Sequence, residues 1–195
     1  WHREHLTWFS PIQRLPGRVS IAGYTQAKSP IDFTNRRMRS GLTPLDLDGL
    51  LIWMRINPQV RVITDIKGDN LHGLAQIAQR GPGLTDQFIA QIYSPDEFSA
   101  ARALGFDRSI FTAYRSALSD AELSAFAEAH DLYALTVPAA RVTKALSASL
   151  QGSGTPIFAH TINTPGRAED LRRLGVNGLY TDYLYPGAPE APAHK

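Results

Sequence analysis

Val62-Ile63-Thr64-Asp65-Ile66-Lys67-Gly68-Asp69 sets a carboxylate and an ammonium two positions apart at the end of a β-branched run. In a strand, residues i and i+2 point to the same side. Asp65 and Lys67 therefore project together where the strand gives way to a turn at Gly68. A carboxylate beside a lysine at such a place can put a divalent cation next to an anion, as phosphoryl-transfer sites require. The simplest structural reading is a strand-end salt bridge, and the motif alone leaves both open. Further polar residues fall at strand ends: Gln91 and Tyr93, Thr112 and Tyr114, Thr136, His160, Thr161 and Asn163, Thr181 and Asp182.

The elements that must hold these residues alternate along the chain. Residues 1–43 read as irregular, with Pro11, Pro16, Gly17, Gly23, Pro30 and Gly41 and no sustained period. Thr43 is a candidate N-cap with Pro44 at the first helical position. Leu47, Leu50, Leu51 and Met54 follow at helical spacing until Asn57-Pro58. Strands are then predicted at 60–64, 87–93, 109–112, 132–137, 156–161 and 178–181. Helices are predicted at 71–79, from Ser94-Pro95-Asp96-Glu97 to Gly105, from the capping box at Ser119, at 138–150, and at 165–174. The Pro/Ala-rich tail, 186–195, is expected to be disordered. Near-continuous apolar strands alternating with helices imply an α/β fold with a parallel sheet. An open doubly wound sheet would most often carry a Gly-rich phosphate turn after its first strand, and none is present. Polar strand ends on nearly every strand favour a (β/α)8 TIM-type barrel, which gathers its site from that rim. Six strands leave two unaccounted for.

Composition narrows the classes. The chain has 195 residues, 43% hydrophobic and 19% charged, as for a globular domain. The absence of cysteine excludes disulfides, thiolate nucleophiles and Cys-ligated zinc. No apolar run is long enough to cross a bilayer, and no signal pattern opens the chain. A soluble protein is expected, cytoplasmic or exported. The formal net charge is +2, yet residues 1–43 hold seven Lys/Arg against two acids. That segment could face an anionic ligand or a membrane surface. It lacks the basic and aromatic interleaving of a nucleic-acid surface, and no nucleic-acid partner is expected. The chain opens on Trp1 rather than Met, as expected of a polypeptide that has been processed, trimmed or cut from a longer parent.

Taken in order, these segments resemble the glycerophosphodiester phosphodiesterase family. Thr43-Pro44-Leu45 looks like the helix before that family's third strand. Thr64-Asp65-Ile66-Lys67 resembles the third-strand segment, with its acidic metal ligand and lysine. Gln91-Ile92-Tyr93 resembles the fourth-strand tip. His160-Thr161-Ile162-Asn163 resembles the seventh-strand Trp-Thr-x-Asn, with His for Trp. Gly175-Val176-Asn177-Gly178-Leu179-Tyr180-Thr181-Asp182 is similar to the closing Gly-Val-x-Gly-x-x-Thr-Asp element. The family's opening His-Arg-Gly strand and Glu-x-Asp strand have no counterpart. His2 looks like the second histidine, with Arg3 in place of the family's Asp.

The resemblance implies a partial barrel over 1–185, with an irregular 1–43, βα units over 44–182 and the first two strands missing. It implies metal-dependent hydrolysis of a glycerophosphodiester to an alcohol and glycerol phosphate, with Ca²⁺ or Mg²⁺ as cofactor and a small phosphodiester as partner. His2 would be the catalytic acid/base and Asp65 the metal ligand, with Lys67, Gln91, Tyr93, His160 and Asn163 contacting substrate. His160 could instead bond Asn163 at the barrel top, and Asp182 could cap a turn. Two alternatives stand beside this reading. One is a non-catalytic barrel binding a phosphorylated polyol or lipid head group. The other is a lipid phosphodiesterase with its basic segment at the membrane. Two unpaired sheet edges would favour self-association. His5, His72 and His130 read as surface residues.

Overall fold

The computed structural model describes residues 30–35, 44–182 and 184. His2, His5, Thr43, most of the basic segment and the 186–195 tail lie outside the described residues. A short helix, α1 (Pro30–Thr34), falls inside the stretch read as irregular.

Helix α2 (Leu47–Ile56) starts later than the Thr43-Pro44 signal suggests, because Asp46 is the cap and its carboxylate accepts from Gly49 N at 2.8 Å. Leu47, Leu51 and Met54 form its buried stripe. Strand β1 is only Val62–Ile63, since Val60 N is spent on a turn to Asn57 O. Helix α3 (Asn70–Arg80) is capped by Asp69. Strand β2 (Phe88–Ile92) leads through Ser94 into α4 (Pro95–Ala103), with Pro95 in its first turn. Strand β3 (Ser109–Thr112) matches its expected limits. Helix α5 (Asp120–Ala129) opens with the expected capping box, Ser119 and Glu122 bonding reciprocally. Strand β4 is Ala134–Pro138.

The helix expected from Pro138 divides. Pro138 remains in the strand, Ala139–Arg141 is a 3₁₀ turn, and α6 (Lys144–Gly152) begins afresh on a Thr143 cap. Strand β5 (Ile157–His160), helix α7 (Pro165–Arg173) and strand β6 (Gly178–Leu179) complete the series. Gly175, at φ +96°, ends α7 in a conformation that suits glycine.

The six strands are all parallel and lie in sequential order, β1-β2-β3-β4-β5-β6. A doubly wound sheet reverses its strand order at a switch point, and this one does not. The strands alternate between two environments. Phe88, Ala90, Ile92, Phe111, Leu135, Val137, Ile157 and Ala159 join the main core with residues of α2–α7. Ile89, Ile110 and Ala134, with Ile63 and Phe158 against them, form a second, smaller cluster on the opposite face. Helices therefore cover one face of the sheet.

The other face curls inward. Flat parallel strands two apart lie about 10 Å apart. The rings of Tyr114, just beyond β3, and His160, on β5, have centroids 5.7 Å apart. A singly wound, curled parallel sheet with outer helices is consistent with part of a TIM-type barrel.

Gly178 lets β6 close on β5. Its register partner is Phe158, and a Cβ there would lie 2.6 Å from ring carbons of Phe158. Gly178→Val is expected to displace that ring and lower stability by about 1–3 kcal/mol. Urea denaturation checks this, and Phe158→Leu in the same chain should recover part of the loss.

Candidate functional site at the barrel mouth

The inward residues follow from strand parity. Beyond Ile63 comes Asp65, beyond Ile89 come Gln91 and Tyr93, and beyond Ile110 come Thr112 and Tyr114. Beyond Ala134 comes Thr136, beyond Phe158 comes His160, and beyond Gly178 comes Tyr180. Apolar residues fill the inner floor, and polar ones follow toward the C-terminal ends, where such barrels carry their sites.

Asp65 is the hub. Its Oδ1 accepts from Lys67 Nζ at 2.8 Å and from Tyr93 Oη at 2.7 Å. Gln91 Nε2 donates to the same Tyr93 oxygen at 2.9 Å. The side chains of Lys67 and Asp65 are only 16% and 18% exposed. A lysine held so far from solvent requires its carboxylate partner. Burial pushes the Tyr93 phenol far up, and Asp65 reinforces this both as hydrogen-bond acceptor and as negative charge. Tyr93 is thus a neutral donor at any physiological pH.

A second set of bonds fixes the end of β2. Gln91 N donates to Thr64 Oγ1 at 2.9 Å. Asn70, 4% exposed, donates through Nδ2 to Gln91 O at 3.0 Å and to Glu97 Oε2 at 2.8 Å. Glu97 Oε2 also accepts from Tyr93 N at 2.9 Å. Asn70 and Glu97, absent from the expected site, clamp the backbone that carries Gln91 and Tyr93. Their signal in the sequence was only an ordinary first-turn acid and a polar residue opening a helix.

Rings line the far wall. Tyr93 meets Tyr114 edge-on at 6.3 Å, and His160 lies edge-on to Tyr114 and, at 6.4 Å, to Tyr180. Burial pulls the His160 imidazole below its ordinary value, opposed in part by the charge of Asp65. Its Nε2 is buried without a hydrogen-bond partner among the described residues. Burial likewise raises the Tyr180 phenol, with Thr136 tempering the rise. The Thr136 and Tyr180 hydroxyls nevertheless sit outside hydrogen-bonding geometry, and among the described residues each is left unpaired.

Asp65, Lys67, Gln91, Tyr93 and His160 therefore face one space. Asn163 is placed differently. Its Nδ2 donates to Asp182 Oδ2 at 3.0 Å, and its Oδ1 accepts from Asp182 N at 2.9 Å and Thr181 Oγ1 at 3.3 Å. It ties the loop after β5 to the end of β6, and the alternative of a His160–Asn163 bond is not what these atoms form. Asp182 takes part in this tie. His72 is exposed as expected, whereas His130 is half-buried and stacks on Phe126 at 4.1 Å.

Asp65 offers one oxygen-rich ligand of the kind Ca²⁺ and Mg²⁺ prefer. Among the described residues no group of three His, Cys, Asp or Glu could hold a metal ion. The described residues alone thus do not fit a complete metal centre. No helix among them is long and apolar enough to cross a membrane.

With this geometry in place, comparison with known structures finds similarity to the crystal structure named "Putative glycerophosphoryl diester phosphodiesterase" from Silicibacter pomeroyi DSS-3. The TM-score is 0.55 and the identity 15%, over 70% of this chain and 52% of that one. The chain spans about half the length of that protein, and the likeness is one of fold. No family model matches the sequence, and no curated protein matches it.

Two outcomes test the mouth. Asn70→Ala strips Gln91 O and Glu97 of a buried donor and should cost about 1–3 kcal/mol in urea denaturation. For His160, acidification protonates the unfolded chain first, because the folded pKa is the lower. Stability is full above the ordinary value of 6.5 and is lost as pH falls through the lowered folded pKa. Melting temperatures from pH 8 to 5 should show this loss in the native chain. His160→Phe should reduce it, and Asp65→Asn, which removes the opposing charge, should deepen it.

Proposed function

We propose that the mouth binds a phosphate ester and that the chain belongs to a phosphoric diester hydrolase acting on glycerophosphodiesters. The observation that carries the reading is the Asp65–Lys67–Tyr93 cluster on the inner face, at the ends of β1 and β2. Lys67 is a mostly buried ammonium already held by a carboxylate oxygen, the kind of partner a phosphoryl oxygen would replace. Tyr93 and Gln91 add neutral donors beside it, suited to the oxygens on which charge accumulates during transfer. The fold likeness supports the same reading, since a glycerophosphoryl diester phosphodiesterase is what the similar structure is named for.

In hydrolysis, a water oxygen bonds to phosphorus, the bond from phosphorus to the departing alkoxy oxygen breaks, and a proton reaches that oxygen. The products are the free alcohol and glycerol phosphate. Lys67 neutralises charge on the non-bridging oxygens. His2 is the proposed proton carrier, a role suited to an imidazole titrating near neutrality. Ca²⁺ or Mg²⁺ is the proposed cofactor, with Asp65 as one ligand; when bound, it would polarise the phosphoryl group. The remaining ligands would come from outside the described residues.

A second reading keeps the phosphate site and drops the chemistry: a barrel that binds a phosphorylated polyol or lipid head group. The scarcity of carboxylates at the described mouth favours it.

One experiment separates the two. The full chain is incubated with a glycerophosphodiester and Ca²⁺ or Mg²⁺, and released glycerol phosphate is measured beside calorimetric binding of glycerol 3-phosphate. Hydrolysis lost with chelator and with Asp65→Asn supports the enzyme. Binding that ignores chelator, without hydrolysis, supports the second reading. In both cases Lys67→Met should weaken binding by about ten- to a hundredfold, the worth of a charge-assisted hydrogen bond. Unchanged affinity in that variant overturns the phosphate site itself.

A further inference from the structure

Among the described residues, four polar groups at the mouth have no partner. Thr112 and Thr136 are each 2% exposed, and both hydroxyls lack a hydrogen bond. Their strands pair so that Thr112 and Thr136 are direct neighbours. His160 Nε2 and Tyr180 Oη are buried and unpaired as well. Tyr180 N bonds Ala159 O, setting Tyr180 beside His160 on the next strand, and their rings meet edge-on. All four residues share the inward parity. A buried hydroxyl left unpaired costs free energy, and native interiors hold few of them. Four on one wall form a surface prepared for hydrogen bonds that something else must complete.

The chemistry of the wall selects its ligand. Threonine and tyrosine hydroxyls each donate and accept, and an imidazole kept neutral by burial offers one role or the other at Nε2. No Asp, Glu, Lys or Arg stands at these four positions, so a second phosphate would find no countercharge there. The surrounding rings could face a quaternary ammonium. Such a group forms no hydrogen bonds and would leave all four atoms unpaired. An alcohol hydroxyl, which also gives and takes, meets the need.

We propose that Thr112, Thr136, His160 and Tyr180 form a specificity wall that recognises the neutral hydroxyl groups of a polyol phosphate whose phosphate sits at Lys67. The inference rests on the phosphate site proposed above and adds the class of group beside it. Thr112 and Thr136 are specificity residues in this scheme, apart from the charged cluster on β1 and β2.

The test compares probes that share a phosphate. Calorimetry on the full chain measures glycerol 3-phosphate, n-propyl phosphate, which lacks both hydroxyls, and phosphocholine. The native chain should prefer glycerol 3-phosphate over n-propyl phosphate by about tenfold or more, the worth of one or two hydrogen bonds. In the Thr112→Val, Thr136→Val double variant, that preference should shrink to about twofold or less while n-propyl phosphate binds as before. The variant removes only unpaired buried hydroxyls, so its melting temperature should not fall, and that measurement confirms folding. Equal affinity for the two esters in the native chain overturns the wall and leaves the phosphate site standing. So does a preference that survives both substitutions, or tighter binding of phosphocholine. Failure of every ester to bind overturns the phosphate site and the wall together.

Discussion

One carboxylate oxygen organises the mouth. Asp65 Oδ1 accepts from both Lys67 and Tyr93, and those two bonds join the end of β1 to the end of β2. The ammonium is stable so far from water because the carboxylate is there, and the carboxylate is tolerable because two donors serve it. Tyr93 stays protonated chiefly because it is buried, with Asp65 reinforcing the effect. Its position depends on a second polar cluster behind the sheet, where Asn70 and Glu97 hold the backbone of Gln91 and Tyr93. Charge in front and amide in back thus fix one short stretch of β2.

The alternation of the strands supports that arrangement. Each strand gives one set of side chains to the helices and the other to the enclosed face, and neighbouring parallel strands keep this division in register. The outward set is almost wholly apolar and supplies most of the buried surface, which is where the favourable free energy of folding mainly lies. The inward set can then carry unpaired polar atoms such as Thr136 Oγ1 and His160 Nε2.

Much of this was legible in the chain. The order of strands and helices followed from apolar runs and caps, and Ser119 with Glu122 marked its helix start correctly. The shared face of Asp65 and Lys67 followed from the two-residue period of a strand. What could not be read depended on competition between equally good local signals. Thr43-Pro44 and Asp46 both make acceptable helix starts, and the carboxylate of Asp46 reaches Gly49 N. Pro138 suits a first helical turn, yet it pairs with His160 as the last residue of β4. Asn163 carries two functional-looking groups that close on Asp182 and Thr181 instead. Tyr180 lay unremarked within a run quoted for its glycines and Asp182, although its parity with Gly178 already aimed it inward. Asn70 acts through contacts 21 and 27 positions away in the chain, beyond the reach of any local pattern, and Glu97, four residues from Tyr93, reads as an ordinary first-turn acid.

The division of labour between the two faces has an evolutionary reading. Thr112 and Thr136 each occupy a register position whose neighbours in sequence, Phe111 and Ala113 or Leu135 and Val137, belong to the helix-facing core. A substitution at either threonine changes what the inner face of the sheet presents while leaving the adjoining hydrophobic layer intact. Such a scaffold can drift from one ligand to another by single steps, since selectivity and foldability are written on alternate letters of the same strand.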